Sequence, residues 1–171
     1  MTMNTNREFL SFRTKLILTA LAVPVLVATW WAFRPEKLFI NKAVSEAAPA
    51  SLSSEPEALL TGKLEKRAHD TSGRATIYKD ASGRQYLRLT DFATSNGPDV
   101  HVVLVRADDS GLAQNITKDE LEHVELGTLK GNQGDQNYNL PEGVDLAKYQ
   151  AVAIYCERFH ALFGLAKLEK F

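Results

Sequence analysis

The stretch AVAIYCERFHALFGLAKL, residues 151–168, contains two apolar runs separated by the polar tetrapeptide ERFH. AVAIYC is apolar on both faces of an extended chain, which is typical of a strand at the centre of a sheet. ALFGLAKL predicts a second strand, in which Gly164 marks a bulge or a close approach of another backbone. By alternation, Val152, Ile154 and Cys156 share one face of the first strand. A buried β core is therefore the expected centre of the fold.

Three more runs predict strands upstream. Ala75–Tyr78 and Gln85–Leu89 flank a polar segment that contains Gly83, and together they predict a hairpin. Val100–Val105 is a β-branched run that follows the turn sequence SNGPD. Short strands with turn signals between them are typical of all-β domains.

One segment departs from this pattern. Thr117 followed by Glu120 matches a capping box, so a short helix is expected over Lys118–Val124. The predicted fold is therefore all-β, a β-sandwich or small barrel with one short helix.

An apolar segment near the N-terminus predicts a single transmembrane helix ahead of this domain. Residues 16–33, LILTALAVPVLVATWWAF, carry no charge. At about 1.5 Å per residue they span roughly 27 Å, close to the hydrocarbon thickness of a bilayer. A cleaved signal peptide and a buried helix of a soluble protein are the alternatives. The bulky exit TWWAF disfavours cleavage, so a retained anchor is expected.

The membrane segment divides the chain into regions with different expected roles. The short tail, residues 1–15, favours an N-in orientation, which places the C-terminal domain outside the cytoplasm in a periplasmic or extracellular space. Residues 34–58 are predicted to be a flexible linker, since the part from 41 onward is rich in Ala, Ser, Pro and Glu. The folded β domain is expected over residues 59–171.

Charge and cysteine content exclude several classes of function. The chain has 20 Lys and Arg against 21 Asp and Glu, a net charge of −1, so it lacks the basic excess that a nucleic-acid binder needs. A single cysteine excludes an internal disulfide, a cysteine-rich zinc module and a covalently attached c-type haem. No catalytic motif identifies a reaction, so the sequence leaves open whether the protein is an enzyme.

The single cysteine, Cys156, and the nearby His160 are the candidate reactive pair. Free cysteine often packs as a small apolar side chain, and this interpretation follows directly from the apolar strand around Cys156. A reactive thiol needs exposure and positive charge nearby, and Glu157 weakens the effect of Arg158.

A metal bound by Cys156 and His160 would need two further ligands. The candidates for these ligands are His101, His69, His123 and Asp99. The spacing matches no recognised ligand pattern, so no metal site is expected.

The polar stretch KGNQGDQNYNLPEG, residues 130–143, has two interpretations. Its Gly, Asn, Gln and Asp residues suit turns around a short strand at Asn137–Leu140. Alternatively, its carboxamides and Asp135 form a loop that faces a ligand or calcium, although no EF-hand spacing is present.

Taken in order, three motifs resemble the DM-thirteen domain, an electron-transfer domain. They are SNGPD-x-HV, KGN-x-GDQNY and the apolar strand that ends in Cys-x-Arg-Phe. The resemblance covers roughly residues 59–169. It implies an extracytoplasmic β-rich module with one characteristic cysteine, at the position of Cys156. Tyr155 stands where a tryptophan is common in such domains, and His160 where a small polar residue is frequent.

The resemblance implies a redox role for Cys156, either as a bare thiol or as a ligand to a group such as haem. The sequence thus supports two hypotheses. In the first, the domain is a membrane-tethered electron-transfer module that acts through Cys156 with a redox protein partner. In the second, it is a non-catalytic extracellular binding or scaffold module in which Cys156 is buried for packing.

Overall fold

The computed structural model describes residues 12–33, 40–49, 56–106 and 122–171. The chain divides into two compact units, residues 1–35 and 36–171. The described part of the first unit is one helix, and the described part of the second consists of strands and their connections.

Helix α1 spans Phe12–Phe33 and contains Pro24. Its segment Phe12–Trp31 has a mean hydropathy of 1.6 and none of it is buried within the protein. By length and composition it is able to cross a membrane, and a signal sequence near an N-terminus meets the same criteria. Helix α1 begins at Phe12, before the expected start at Leu16, and so includes residues 12–15 of the predicted tail.

The second unit is built from two β-sheets, which we name sheet A and sheet B. Sheet A has six strands in the order β1-β8-β5-β4-β2-β11, and sheet B has five in the order β3-β10-β9-β6-β7. The strands are β1 (Ala43–Ser45), β2 (Glu57–Lys63), β3 (Glu65–Lys66), β4 (Ser72–Lys79), β5 (Gln85–Ala93), β6 (Val100–Val105), β7 (His123–Thr128), β8 (Gln133–Asn139), β9 (Ala151–Cys156), β10 (Ala161–Lys167) and β11 (Glu169–Lys170).

The two sheets pack face to face around one hydrophobic core. Ile77 and Leu87 from sheet A and Val102 and Ile154 from sheet B are completely buried in the same cluster. The side chains that alternate with those of sheet B, such as Val103, form a second, smaller cluster on its other face. Two open sheets with a shared core make a β-sandwich, so the all-β prediction is confirmed and the barrel alternative is wrong.

Several details of the predicted strands are confirmed. β6 and β9 have the predicted bounds, and β4 and β5 pair antiparallel as the expected hairpin. The pairing of β9 with β10 shifts register between Leu162 and Gly164, which is the expected irregularity at this glycine. Gly164 also lies against Thr71, since a Cβ at Gly164 would stand 2.5 Å from Thr71 Cγ2.

The expected helix over Lys118–Val124 is only partly covered by the described residues. Residues 118–121 lie outside them, and the prediction is wrong for His123 and Val124, which begin β7. These two residues pair with Val105 and Leu104 of β6. A local capping pattern is a weak signal, and hydrogen bonding to an existing strand outweighs it.

The region predicted to be a flexible linker contains a strand. Ala43–Ser45 forms β1, which pairs parallel with β8. Glu57, just before the expected start of the domain, begins β2. The sequence also did not predict β2, β3, β7 or β11. β3 and β11 have two residues each, too few for a period-2 pattern. The start of β7 fell within the predicted helix.

We expect Gly164→Ala to lower the free energy of unfolding by about 1–3 kcal/mol, because the new methyl group would overlap Thr71. Lys167→Ala, at an exposed position on the same strand, should change it by no more than about 0.5 kcal/mol. Chemical denaturation of both full-length variants in detergent, followed by circular dichroism, measures the difference. Equal stability of the two variants would show that the contact with Thr71 is not tight.

Candidate functional site

Cys156 is the last residue of β9, in the middle of sheet B. It pairs with Val100 of β6 on one side and with Ala161 of β10 on the other. Its side chain has no exposed surface and belongs to the core between the sheets. The sequence-based expectation of a small apolar side chain in a core is therefore confirmed for the position of Cys156.

This burial limits the chemistry that is open to the thiol. A side chain without accessible surface has no space beside it even for a water molecule. A haem bound through Cys156 does not fit, because its iron would have to displace core side chains such as Ile154. An open groove elsewhere is lined by residues 63–66, 70–72 and 93–95, and Cys156 is not among them.

His160 and Cys156 do not form a common site. His160 is exposed at the end of the turn between β9 and β10, whereas Cys156 points into the core. The His160 Nδ1 atom lies 3.4 Å from the hydroxyl of Tyr155, a neighbour of Cys156 that alternates with it along the strand. His160 also has a φ of 50°, an uncommon conformation for a residue other than glycine.

A different group of ionisable side chains converges at the ends of β6 and β9. His101 Nδ1 lies 2.8 Å from Glu125 Oε1, and His101 Nε2 lies 3.0 Å from Asp99 Oδ1. His101 Nε2 is also 3.6 Å from Glu157 Oε2. We call these four residues the His101 cluster. The His101 side chain is 13% exposed, whereas the three carboxylates are exposed by 37–44%.

The carboxylates set the protonation of His101. Burial lowers the pKa of His101, but hydrogen bonds to Glu125 and Asp99 outweigh burial and raise it above its ordinary value. Each ring nitrogen of His101 lies beside a carboxylate oxygen. Both nitrogens donate a hydrogen bond only when the ring is an imidazolium, so this is the form that fits the four residues when no metal ion is bound.

The sequence identified only half of the His101 cluster. It named His101 and Asp99 only as candidate further ligands of a Cys156–His160 metal site that was not expected, and it did not name Glu125 or Glu157 as ligands. The available signal was the spacing of Asp99 and His101, which places them on one face at the start of a strand. The pairing of β6 with β9 and β7 brings in the two glutamates, and no local pattern contains this pairing.

The other histidines considered as ligands lie elsewhere. The His69 ring packs on Phe163 with a centroid distance of 3.9 Å. His123 begins β7. In the described ranges, the potential metal ligands that converge are Asp99, His101 and Glu157.

The polar stretch 130–143 mainly bonds to the protein itself. Gln136 is completely buried, and its side chain exchanges hydrogen bonds with the backbone of Gly131 at 2.7 and 3.2 Å. Tyr138 donates its hydroxyl proton to Gln136 Oε1 at 2.9 Å and accepts a bond from the Lys130 N–H. Burial raises the pKa of Tyr138 to about 12. The carboxamide of Gln136 therefore holds the turn before β8.

The outward side chains of β8 attach β1 and the residues that follow it. Asp135 Oδ2 accepts a bond from Arg88 Nη2 at 2.6 Å, and Asn137 Nδ2 donates to the carbonyl of Ala47. Glu46 accepts bonds from Lys130 Nζ and from the Asn137 N–H at 2.8 Å. The interpretation as turns around a short strand is supported, and that strand is β8 (Gln133–Asn139), earlier than expected. These carboxamides act as structural groups.

The structure shows the class of protein, a small β-sandwich domain whose single cysteine faces the core. The sequence comparisons show the family. The family model described as "Electron transfer DM13" matches residues 63–168, more than half of the chain. The protein therefore belongs to the DM13 family, which confirms the resemblance seen in its motifs. No curated protein and no solved structure matches the chain.

The bonds of Glu46 predict a pH dependence of stability. Burial raises the pKa of Glu46, but the hydrogen bonds to Lys130 and Asn137 outweigh it and lower the pKa below 4.5. A lowered folded-state pKa stabilises the protein above the unfolded-state value, and this stabilisation is lost as the pH falls through the folded-state value. The free-energy difference between wild type and Glu46→Gln should therefore shrink below about pH 4.5.

Denaturation at pH 7 and at pH 3–4 measures this difference. Glu142→Gln, at an exposed position outside this network, is the matched control and should show a much smaller effect at both pH values. A gap between wild type and Glu46→Gln that is constant with pH would contradict the assigned ionic contact.

Proposed function

We propose that the protein is a membrane-tethered, extracytoplasmic electron-transfer module. The observation that carries this proposal is the match of the electron-transfer family model to residues 63–168, nearly the whole β-sandwich. The characteristic cysteine that the resemblance implies corresponds to Cys156, the last residue of β9.

The membrane tether is proposed from helix α1. Its uncharged segment and its Trp30 and Trp31, which favour the interfacial level, are typical of a retained anchor. The proposed position of the β-sandwich outside the cytoplasm is supported by the family resemblance, which implies an extracytoplasmic module.

We further propose that Cys156 is the redox group, acting as a thiol. The chain has one cysteine, so oxidation of Cys156 by thiol–disulfide exchange ends in a bond to a partner protein. In that exchange a bond forms between Cys156 Sγ and a partner sulfur, the partner's disulfide breaks, and its second sulfur leaves as a thiolate. The partner is thus an exported protein with an accessible disulfide.

Because Cys156 has no exposed surface, this exchange requires the end of β9 to open. The adjacent turn favours such an opening. Arg158, Phe159 and His160 are exposed, and His160 has the uncommon positive φ. Turns open at lower free energy than central strands do, and exposing Cys156 must in addition break its pairing with Val100 and Ala161.

The burial of Cys156 also favours a second candidate function. If the thiol never becomes accessible, the domain is a non-catalytic binding or scaffold module outside the cytoplasm, and Cys156 contributes only to packing. The two candidates differ in whether Cys156 reacts in the folded state.

Thiol labelling of the full-length protein in detergent separates them. Cys156 should react at least about tenfold more slowly than a surface cysteine, because the turn must open first, yet faster than the protein unfolds globally. The surface reference is Ser82→Cys in a Cys156→Ala background, at an exposed turn between β4 and β5. Labelling at the rate of global unfolding would favour the packing function and contradict the redox thiol.

Exchange with a small disulfide tests the proposed redox step itself. With excess oxidised glutathione, the folded wild type should form one mixed disulfide at Cys156 and release one equivalent of reduced glutathione, whereas Cys156→Ala should do neither. The alanine variant is preferred to Cys156→Ser, since an unpaired hydroxyl in this core costs about 1–3 kcal/mol. A folded wild type that forms no mixed disulfide, as judged by mass spectrometry, would contradict the redox thiol.

The proposed topology predicts which part of the chain a protease can reach. In intact cells or spheroplasts, protease added from outside should digest the β-sandwich, and a tag at the N-terminus should be protected. Recovery of a soluble chain without α1 would instead identify the helix as a cleaved signal peptide.

A further inference from the structure

We propose that Asp99, His101 and Glu157 bind a divalent transition-metal ion such as Zn²⁺, with Glu125 orienting the histidine. The three ligand atoms all lie within 4.8 Å of one another. This proposal is independent of the redox role of Cys156, since Cys156 points into the core whereas His101 lies on the other face of sheet B.

The two distances from His101 Nε2 are close to those between ligand atoms in a metal site. Tetrahedral zinc with bonds of about 2.0–2.1 Å holds its ligand atoms about 3.3 Å apart. His101 Nε2 lies 3.0 Å from Asp99 Oδ1 and 3.6 Å from Glu157 Oε2, on either side of that value. The Asp99 and Glu157 oxygens lie within 4.8 Å of each other, so a rearrangement of these two exposed carboxylates would complete three metal bonds.

The Nδ1 atom of His101 lies beside a carboxylate, as the non-ligating nitrogen of a metal-bound histidine usually does. Metal-bound histidines usually donate their other N–H to a carboxylate or carbonyl, which fixes the ring and raises its basicity. His101 Nδ1 lies 2.8 Å from Glu125 Oε1, which leaves Nε2 to face Asp99 and Glu157. A proton on Nε2 and a metal ion are thus alternative occupants of the same position.

The backbone fixes the two carboxylate ligands beside His101. Asp99 directly precedes β6, and Glu157 directly follows β9, the antiparallel neighbour of β6. The Glu157 N–H donates to the Asp99 carbonyl at 2.9 Å, which joins the two ends. The ligands therefore come from neighbouring strand ends, which are more rigid than long loops.

The donor types indicate which ion binds. Imidazole nitrogen suits zinc and other first-row transition metals, whereas Mg²⁺ and Ca²⁺ prefer sites made only of oxygen ligands. The carboxylates are 41% and 44% exposed, so the remaining coordination position is open to solvent. Three protein ligands with an open position are typical of zinc sites that bind water or an exogenous ligand.

The experiment uses the full-length chain in detergent, purified without a polyhistidine tag and freed of metal with a chelator. Calorimetric titration with Zn²⁺ should give one equivalent bound, and Co²⁺ should give the visible absorption of a tetrahedral site. Glu157→Gln should weaken Zn²⁺ binding at least about tenfold, and Glu125→Gln by about 10–100-fold. Glu142→Gln, outside the His101 cluster, should bind as the wild type does.

Failure of the wild type to bind Zn²⁺, or equal affinity in Glu157→Gln, would overturn the proposal and leave the His101 cluster as a histidinium paired with carboxylates. Circular dichroism checks that each variant is folded. Should the variants not fold, the wild type decides. A rise in its unfolding temperature with Zn²⁺ but not with Mg²⁺ supports the site, and no rise overturns it.

Discussion

The apolar contact between the two sheets is the constraint on which the rest of the structure depends. β9 lies in the middle of sheet B, and all six of its side chains are buried. A strand buried on both faces must pair on both edges, because unpaired backbone groups in a core are costly. β6 and β10 provide these pairs, and their connections determine where the chemically active side chains lie.

The same pairing gives the two faces of sheet B different roles. Side chains alternate along a strand, so the face that contributes Val102 and Cys156 to the core leaves His101 on the opposite face. The thiol is therefore in an apolar environment, and the imidazole is among carboxylates. Cys156 and His101 lie on paired strands one residue apart in register, but because they face opposite sides of sheet B their chemistry is unrelated.

The fold could be predicted from the sequence where the pattern is local. The bounds of β6 and β9 follow from continuous apolar runs, and the irregularity at Gly164 follows from a glycine inside a strand. β1 could not be predicted, because its contacts with β8 depend on Glu46 and Asn137, which are distant in the sequence. The burial of Cys156 could be predicted from the apolar run of its own strand. The His101 cluster could not, because it depends on which strands lie next to β6 in the sheet, and the sequence of one strand does not show this.

The short strands at the sheet borders have a consequence for how copies of this protein meet. β1 and β11 border sheet A and β3 borders sheet B, each with only two or three residues, and β3 and β11 each consist of one glutamate and one lysine. Among the described strands, the other border of sheet B is β7, which has an irregular register with β6. Short, charged or bulged borders are poor templates for a strand from another molecule. Neighbouring copies can therefore collide often without joining their sheets into aggregates.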